Sequence, residues 1–235
     1  MLADLHVGSP FNGLEKLTRV VDAANAMKPD LILLPGDFVI QGVFGGRFVS
    51  PEESAAVLAR LDAPLGVWAC LGNHDWWLGA ARVQSALEKN GIRLLEDSAT
   101  RIEHHGTHFW LVGISDFLEG PHDVRKAVSQ IADRAPILMF THNPDVFPTI
   151  SSRSSLLIAG HTHGGQVHLP YLGRPIVPSR HGERYAIGHV IENGRHLFVS
   201  AGLGTSILPV RFRVPPEVTL LVLYPEPARA AVRRR

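Results

Sequence analysis

Five times along this chain a short apolar run breaks off at a cluster of aspartate, asparagine or histidine, and few folds accommodate that pattern. The clusters are Asp4-Leu5-His6, Gly36-Asp37, Gly72-Asn73-His74-Asp75, Thr141-His142-Asn143 and Gly160-His161-Thr162-His163. The runs ahead of them, such as Leu31–Leu34, Ile137–Phe140 and Ser155–Ala159, read as buried strands. In the last cluster the flanking glycines admit backbone angles closed to other residues, so the imidazoles of His161 and His163 can turn toward one point. A His-x-His pair alone also occurs by chance on strands. Joined to the other four clusters, it completes an oxygen-and-nitrogen donor set suited to two metal ions.

The segments between the clusters fill in the architecture. Leu14, Leu17, Val21, Ala24 and Met27 recur at helical spacing, and Pro29 closes that helix. Ser50-Pro51-Glu52-Glu53 combines a serine cap, a proline at the first helical position and a glutamate at the third. It predicts a helix running to about Leu61. A strand over Val67–Leu71 and a helix over Ala80–Asn90, stopped by Gly91, come next. Strand and helix thus alternate, which implies parallel strands covered by helices, with the polar clusters at the strands' C-terminal ends.

The middle of the chain predicts an antiparallel pair, Thr100–Glu103 with His108–Ile114, and a short helix around Val124–Ala132. Ala186–Ile191 and His196–Val199 are joined across Asn193-Gly194, a hairpin turn signal. Val218–Leu223 is expected to be a last strand. With no repeat or low-complexity linker, residues 1–225 are expected to form one domain and the Ala/Arg-rich tail 226–235 to be frayed.

Composition narrows the function classes. A chain of 235 residues is long enough for one large α/β domain with a substantial core. Hydrophobic residues at 45% and charged residues at 19% argue against disorder. A net charge of +1 gives no overall pull toward nucleic acid. The single cysteine, Cys70, cannot form an internal disulfide and sits in an apolar run as a core thiol. No apolar run is long enough to span a bilayer, and no signal peptide is evident. Only Met1-Leu2-Ala3 precede Asp4, so the first strand is either shortened or begins upstream, where an anchor or export signal would also lie. The expected location is cytoplasmic or peripheral at a membrane.

Taken in order, Asp4-x-His6, Gly36-Asp37, Gly72-Asn73-His74-Asp75, His142 and Gly160-His161-Thr162-His163 resemble the full motif set of the calcineurin-like metallophosphoesterases. Gly164-Gly165-Gln166-Val167 and Gly202-Leu203-Gly204-Thr205-Ser206 are similar to a bacterial branch of often membrane-associated phosphodiesterases. That branch includes enzymes similar to the UDP-2,3-diacylglucosamine hydrolases of lipid A synthesis. Ala3 departs from the pattern, where a serine is frequent.

The resemblance implies a four-layer α-β-β-α sandwich of two mixed sheets, carrying two divalent metal ions. One would be held by Asp4, His6, Asp37 and His163, the other by Asp37, Asn73, His142 and His161. The ions share a hydroxide that attacks a phosphomonoester, phosphodiester or pyrophosphate. His74 falls outside both sets and is free to protonate the leaving oxygen, with Asp75 expected to fix its tautomer and favour its cation. Imidazole and carboxylate without thiolate fit Mn²⁺, Zn²⁺ or Fe.

The flanking residues bear on the substrate. Trp76-Trp77-Leu78, Val43-Phe44 and Phe48-Val49 are core residues by default, whereas an exposed apolar patch beside the metals suits a lipid-linked substrate or peripheral membrane contact. Trp76, Arg211 and Arg213 are the candidate substrate contacts, the two arginines for a phosphate or headgroup. A nuclease or cyclic-nucleotide phosphodiesterase is the alternative within enzymes, and the absence of a basic stripe counts against nucleic acid. A non-catalytic scaffold for protein binding is the alternative from another class. Such a scaffold would be expected to lose ligands, and here every motif position is filled.

Overall fold

The computed structural model describes residues 1–224, so the expected frayed tail 226–235 lies outside the described residues. Two sheets pack face to face. The smaller contains β1 (Ile32–Pro35), β2 (Val67–Cys70) and β3 (Arg93–Leu94), all parallel. The larger has the order β4-β5-β6-β7-β9-β8, from β4 (Ser98–His104), β5 (Thr107–Ile114), β6 (Ile137–Thr141), β7 (Leu156–Ala159), β8 (Gly188–Glu192) and β9 (Arg195–Val199). Its four central strands are parallel and the two edge strands antiparallel. The larger sheet is therefore mixed as expected, while the smaller departs from that expectation.

Leu33, Trp68 and Cys70 from the first sheet and Leu111, Leu138, Phe140 and Ile158 from the second form one cluster between the layers. Burial pushes the Cys70 thiol well above its ordinary pKa, leaving it an inert part of this core. Helices α1 (Leu14–Ala26), α2 (Pro51–Leu58) and α3 (Asn73–Lys89) cover the outer face of the small sheet through Leu17, Val21, Leu58 and Leu87. Each such side chain contributes roughly 1.5–3 kcal/mol when fully buried. The short α4 (Val124–Ser129) and a 3₁₀ turn at Pro144–Thr149 cover the outer face of the large sheet. This completes the four layers.

Helix α2 starts as its sequence dictates: the Ser50 hydroxyl accepts from Glu53 N, and the Glu53 carboxylate accepts from Ser50 N at 3.0 Å. Helix α3 begins earlier than expected, at Asn73, and is broken at Gly79 (φ 126°), which swings the Asn73–Leu78 turn over the strand ends. Asn193 and Gly194 both take positive φ, as a tight hairpin turn requires.

Two terminal segments differ from the expectation. Residues 2–7 lie alongside β1 (Leu2 N to Leu33 O, 3.0 Å) and accept from Leu203 N and Gly204 N on the other side. They do not form a regular strand, because Asp4 and His6 are left-handed at φ 50° and 40°. Val218–Leu223 is not a regular strand either; Thr219 pairs with Met1, and Leu221 packs against the cluster between the sheets.

Candidate metal centre

The five clusters converge at one end of the sandwich, where strands of both sheets terminate. Asp4 and His6 leave the first segment, Asp37 follows β1, Asn73 and His74 follow β2, His142 follows β6, and His161 and His163 follow β7. The approach is close because Gly36 and Gly72 face each other. A Cβ on Gly36 would lie 2.4 Å from Gly72 N, and one on Gly72 would lie 2.2 Å from Asp37 Oδ1. All seven expected ligands are buried. Five of them, Asp4, His6, Asp37, His161 and His163, hold the left-handed conformation, which an L side chain adopts at a cost of roughly 1–2 kcal/mol each.

The donor atoms fall into three overlapping groups, Asp4–His6–His163, His6–Asp37–His74 and Asp37–His142–His161, the middle one linking the outer two through His6 and Asp37. His6 Nε2 lies 3.0 Å from His163 Nε2, and His142 Nε2 lies 3.0 Å from His161 Nδ1 and 3.1 Å from Asn73 Oδ1. Asp37 Oδ2 stands between the groups, 3.3 Å from both His6 Nε2 and His142 Nε2. His74 N donates to Asp37 Oδ1 at 2.9 Å and fixes the carboxylate.

Tautomers are set by the backbone. His6 Nδ1 donates to Val39 O at 3.0 Å and His142 Nδ1 to Pro35 O at 2.8 Å, so each Nε2 is turned inward. Burial works to lower His142, but Asp37 outweighs it and holds that imidazole well above its ordinary pKa. Burial lowers the pKa of His6 to about 4 and of His161 to about 3, keeping both imidazoles neutral. Burial raises Asp37, but His142 and His6 together bring it well below the usual carboxylate range. Asp4 Oδ2 is buried with no hydrogen-bond partner. Inward-turned imidazole nitrogens about 3 Å apart, an orphan carboxylate oxygen and a mixed oxygen–nitrogen set fit divalent cations.

A family profile described as calcineurin-like phosphoesterase matches residues 1–165, the part that carries all five clusters. The chain belongs to the calcineurin-like phosphoesterases. It is 33% identical over 226 residues to the phosphodiesterase YaeI of Escherichia coli, covering 94% of this chain and 80% of that protein. To the metallophosphoesterase YkuE of Bacillus subtilis it is 30% identical over 224 residues, covering 94% and 77%. The UDP-2,3-diacylglucosamine pyrophosphatase LpxG of Chlamydia trachomatis is 25% identical over 281 residues, covering 96% and 83%. Among solved structures, a 5'-nucleotidase precursor from Thermus thermophilus aligns with a TM-score of 0.52 at 14% identity. That alignment covers 84% of this chain and 47% of the nucleotidase, and it speaks to the fold alone.

Around the donor cluster of this phosphoesterase, three expected contacts differ. Asp75 does not touch the His74 ring. Its carboxylate accepts from the backbone N–H groups of Asp37, Phe38, Val39 and Gly72 at 2.8–3.3 Å, so it buttresses the loop that carries Asp37. The partner of His74 is Gln41, which the sequence reading missed. His74 Nδ1 donates to Gln41 Oε1 at 2.8 Å, and Gln41 Nε2 donates to His74 O at 3.0 Å. No motif marks an amide four residues beyond a ligand aspartate, so the signal was absent from the sequence. Burial lowers the His74 pKa, with Asp37 acting against it, and a neutral amide adds no charge to raise it.

Trp76, a candidate substrate contact, packs instead against the helical core. Trp77 is the tryptophan at the site, 4.7 Å from the His74 ring and 57% exposed. Arg211 reaches within 3.4 Å of His163 Nδ1, yet its guanidinium donates to the carbonyls of Ala201, Gly202, Gly204 and Val214. It straps the loop after β9 to the site rather than offering its donors to a substrate. Arg213 is exposed beside it.

The Gln41 contacts make a direct test. Gln41→Ala is expected to leave metal content unchanged and slow turnover of alkyl esters about tenfold or more, by freeing the His74 ring. Gln41→Glu should restore most of that rate. Equal rates for wild type and Gln41→Ala on alkyl esters would dismiss the role.

Proposed function

We propose that this protein hydrolyses a phosphodiester or pyrophosphate bond using two divalent cations. Asp4, His6, Asp37 and His163 would hold one, and Asp37, Asn73, His142 and His161 the other. The observation that carries this reading is Asp37 Oδ2, at 3.3 Å from a histidine of each group and suited to serve both. When bound, such a pair acidifies a water and neutralises charge on the phosphoryl group. Mn²⁺, Zn²⁺ and Fe²⁺ suit the donor mix.

The chain's own residues complete the chemistry. With its Nδ1–H engaged by Gln41, His74 presents Nε2 to the cluster; protonated at both nitrogens, it gives the Nε2 proton to the departing oxygen and is left neutral. The Trp77 ring shields one side of that imidazole. Asp75 and the His74 N–H hold the Asp37 carboxylate in place.

A lipid-linked substrate is favoured over a free nucleotide. One relative is described as acting on a diacylated nucleotide sugar, and exposed Phe44, Phe48 and Trp77 stand on the loops beside the site. Stripped protein reloaded with Mn²⁺, Zn²⁺ or Fe²⁺ would be assayed on a nitrophenyl diester, nucleotide-sugar lipids and nucleotides. Two metals per chain and turnover of the diester are expected, with the acylated pyrophosphate preferred. Fewer than one metal per chain and no turnover would instead favour a protein-binding scaffold.

A further inference from the structure

Twelve of the eighteen large apolar side chains exposed among the described residues sit on loops that leave the metal-centre end of the sandwich. Those loops are 8–13 after His6, 41–49 after Asp37, 76–79 and 117–122, 166–181 after His163, and 205–213 beyond β9. Phe11 is 94% exposed, Phe44 84%, Leu172 77% and Ile207 73%. Single exposed apolar residues need no explanation, but a ring of them around one site does.

The loops are tied in pairs. Arg47 N donates to Gly8 O at 2.7 Å, joining the first two. Trp77 Nε1 donates to Glu119 Oε1 at 2.9 Å, joining the next two. Gln166 Nε2 donates to Leu208 O and Val210 O, and Phe212 N to Gln166 O, joining the last two. These bonds tie neighbouring loops of the rim to one another.

Charge decides what they face. The chain as a whole is nearly balanced, with 23 basic and 22 acidic residues. Of the arginines on these six loops, Arg47, Arg180 and Arg213 are exposed, against a single acid, Glu119, while Arg174 and Arg211 give donors to backbone carbonyls. Aromatic and aliphatic anchors interleaved with arginine match an anionic lipid surface, where the apolar groups enter the acyl boundary and the guanidinium groups meet phosphates.

We propose that this rim docks on the face of an anionic phospholipid bilayer and presents the metal centre to phosphoesters held in that surface. The proposal rests on the lipid-linked reading above and specifies the surface that delivers the substrate. Among the described residues no helix is long and apolar enough to cross a membrane, so the contact is one of lying on the surface.

The test floats metal-loaded protein with vesicles of phosphatidylcholine, alone or with about one-third phosphatidylglycerol. Binding is expected on the anionic vesicles and about tenfold weaker on the neutral ones. The triple variant Phe11→Ser, Phe44→Ser, Leu172→Ser should lose about tenfold or more of that binding, and Arg47→Glu about fivefold. Both should retain metal and full turnover of the water-soluble nitrophenyl diester. If circular dichroism shows the triple variant unfolded, Phe44→Ser and Leu172→Ser are measured singly, each with a smaller loss expected.

Wild type that fails to float on either vesicle, or folded variants that float as well as wild type, would overturn the proposal. So would a concentration-dependent dimer dissolved by the same substitutions, which would assign the face to a second copy. Loss of diester turnover in the metal-loaded wild type would instead defeat the catalytic reading, and the two failures are separately visible.

Discussion

Asp37→Asn is expected to abolish turnover and to lower occupancy at both metal positions. Its Oδ2 is the one donor oxygen within 3.3 Å of a histidine from each group, and its Oδ1 is held by the His74 N–H. An amide in that place offers one neutral oxygen and an NH₂ that points a positive end at a cation. With that carboxylate lost, the full two-metal contribution to catalysis should be lost, and residual rates should approach background. Replacing His6 or His142 should deplete chiefly one position each, because the two proposed ligand sets share only Asp37. Metal analysis of the dialysed variants checks this. Two tightly retained metals in Asp37→Asn would show the assignment of the bridge to be wrong.

The second large effect separates acid from ligand through leaving-group chemistry. His74 is proposed to protonate the departing oxygen, a contribution of about 10²–10⁴-fold. An alkoxide needs that proton, whereas a nitrophenolate departs without it. His74→Ala should therefore bind both metals, lose most of its rate on alkyl esters and lose much less on nitrophenyl esters. The Gln41→Ala variant should follow the same slope at smaller amplitude, since Gln41 acts only by holding the ring. Asp75→Asn should not follow it. The Asp75 carboxylate serves four backbone donors, so its loss should disturb the Asp37 loop and slow every ester alike. Rates plotted against leaving-group pKa read all three. Parallel lines for wild type and His74→Ala would falsify the acid role.

What could be read from the sequence was whatever repeats in one dimension. Apolar runs ending in Asp37, His142 or His161 announce strands and their polar ends, and the Ser50–Glu53 box announces α2. Asp37, Asn73, His142 and His161 were legible because each lies within three positions of a strand end, and His163 follows directly after His161 and Thr162. What could not be read depends on contacts across the fold. The partner of His74 is 33 residues away in sequence, and the adjacent Asp75 turns out to face the other side of its helical turn. The guanidinium of Arg211 is taken up by carbonyls that only the β9 loop brings together. Trp76 and Trp77 are indistinguishable in composition, and the helical rotation between successive residues sends one to the core and the other to the site.

The left-handed backbone at five ligand positions also shapes what this chain can become. A lineage that lost its need for metal would shed those side chains, but the conformation would remain, because the sheet ends still have to turn there. Glycine and asparagine tolerate that conformation, and valine or isoleucine strain it badly. Drift away from catalysis is thereby channelled. The relics of a lost centre on this scaffold would be glycines and asparagines at positions 4, 6, 37, 161 and 163, a signature that distinguishes a retired enzyme from a chain that never bound metal.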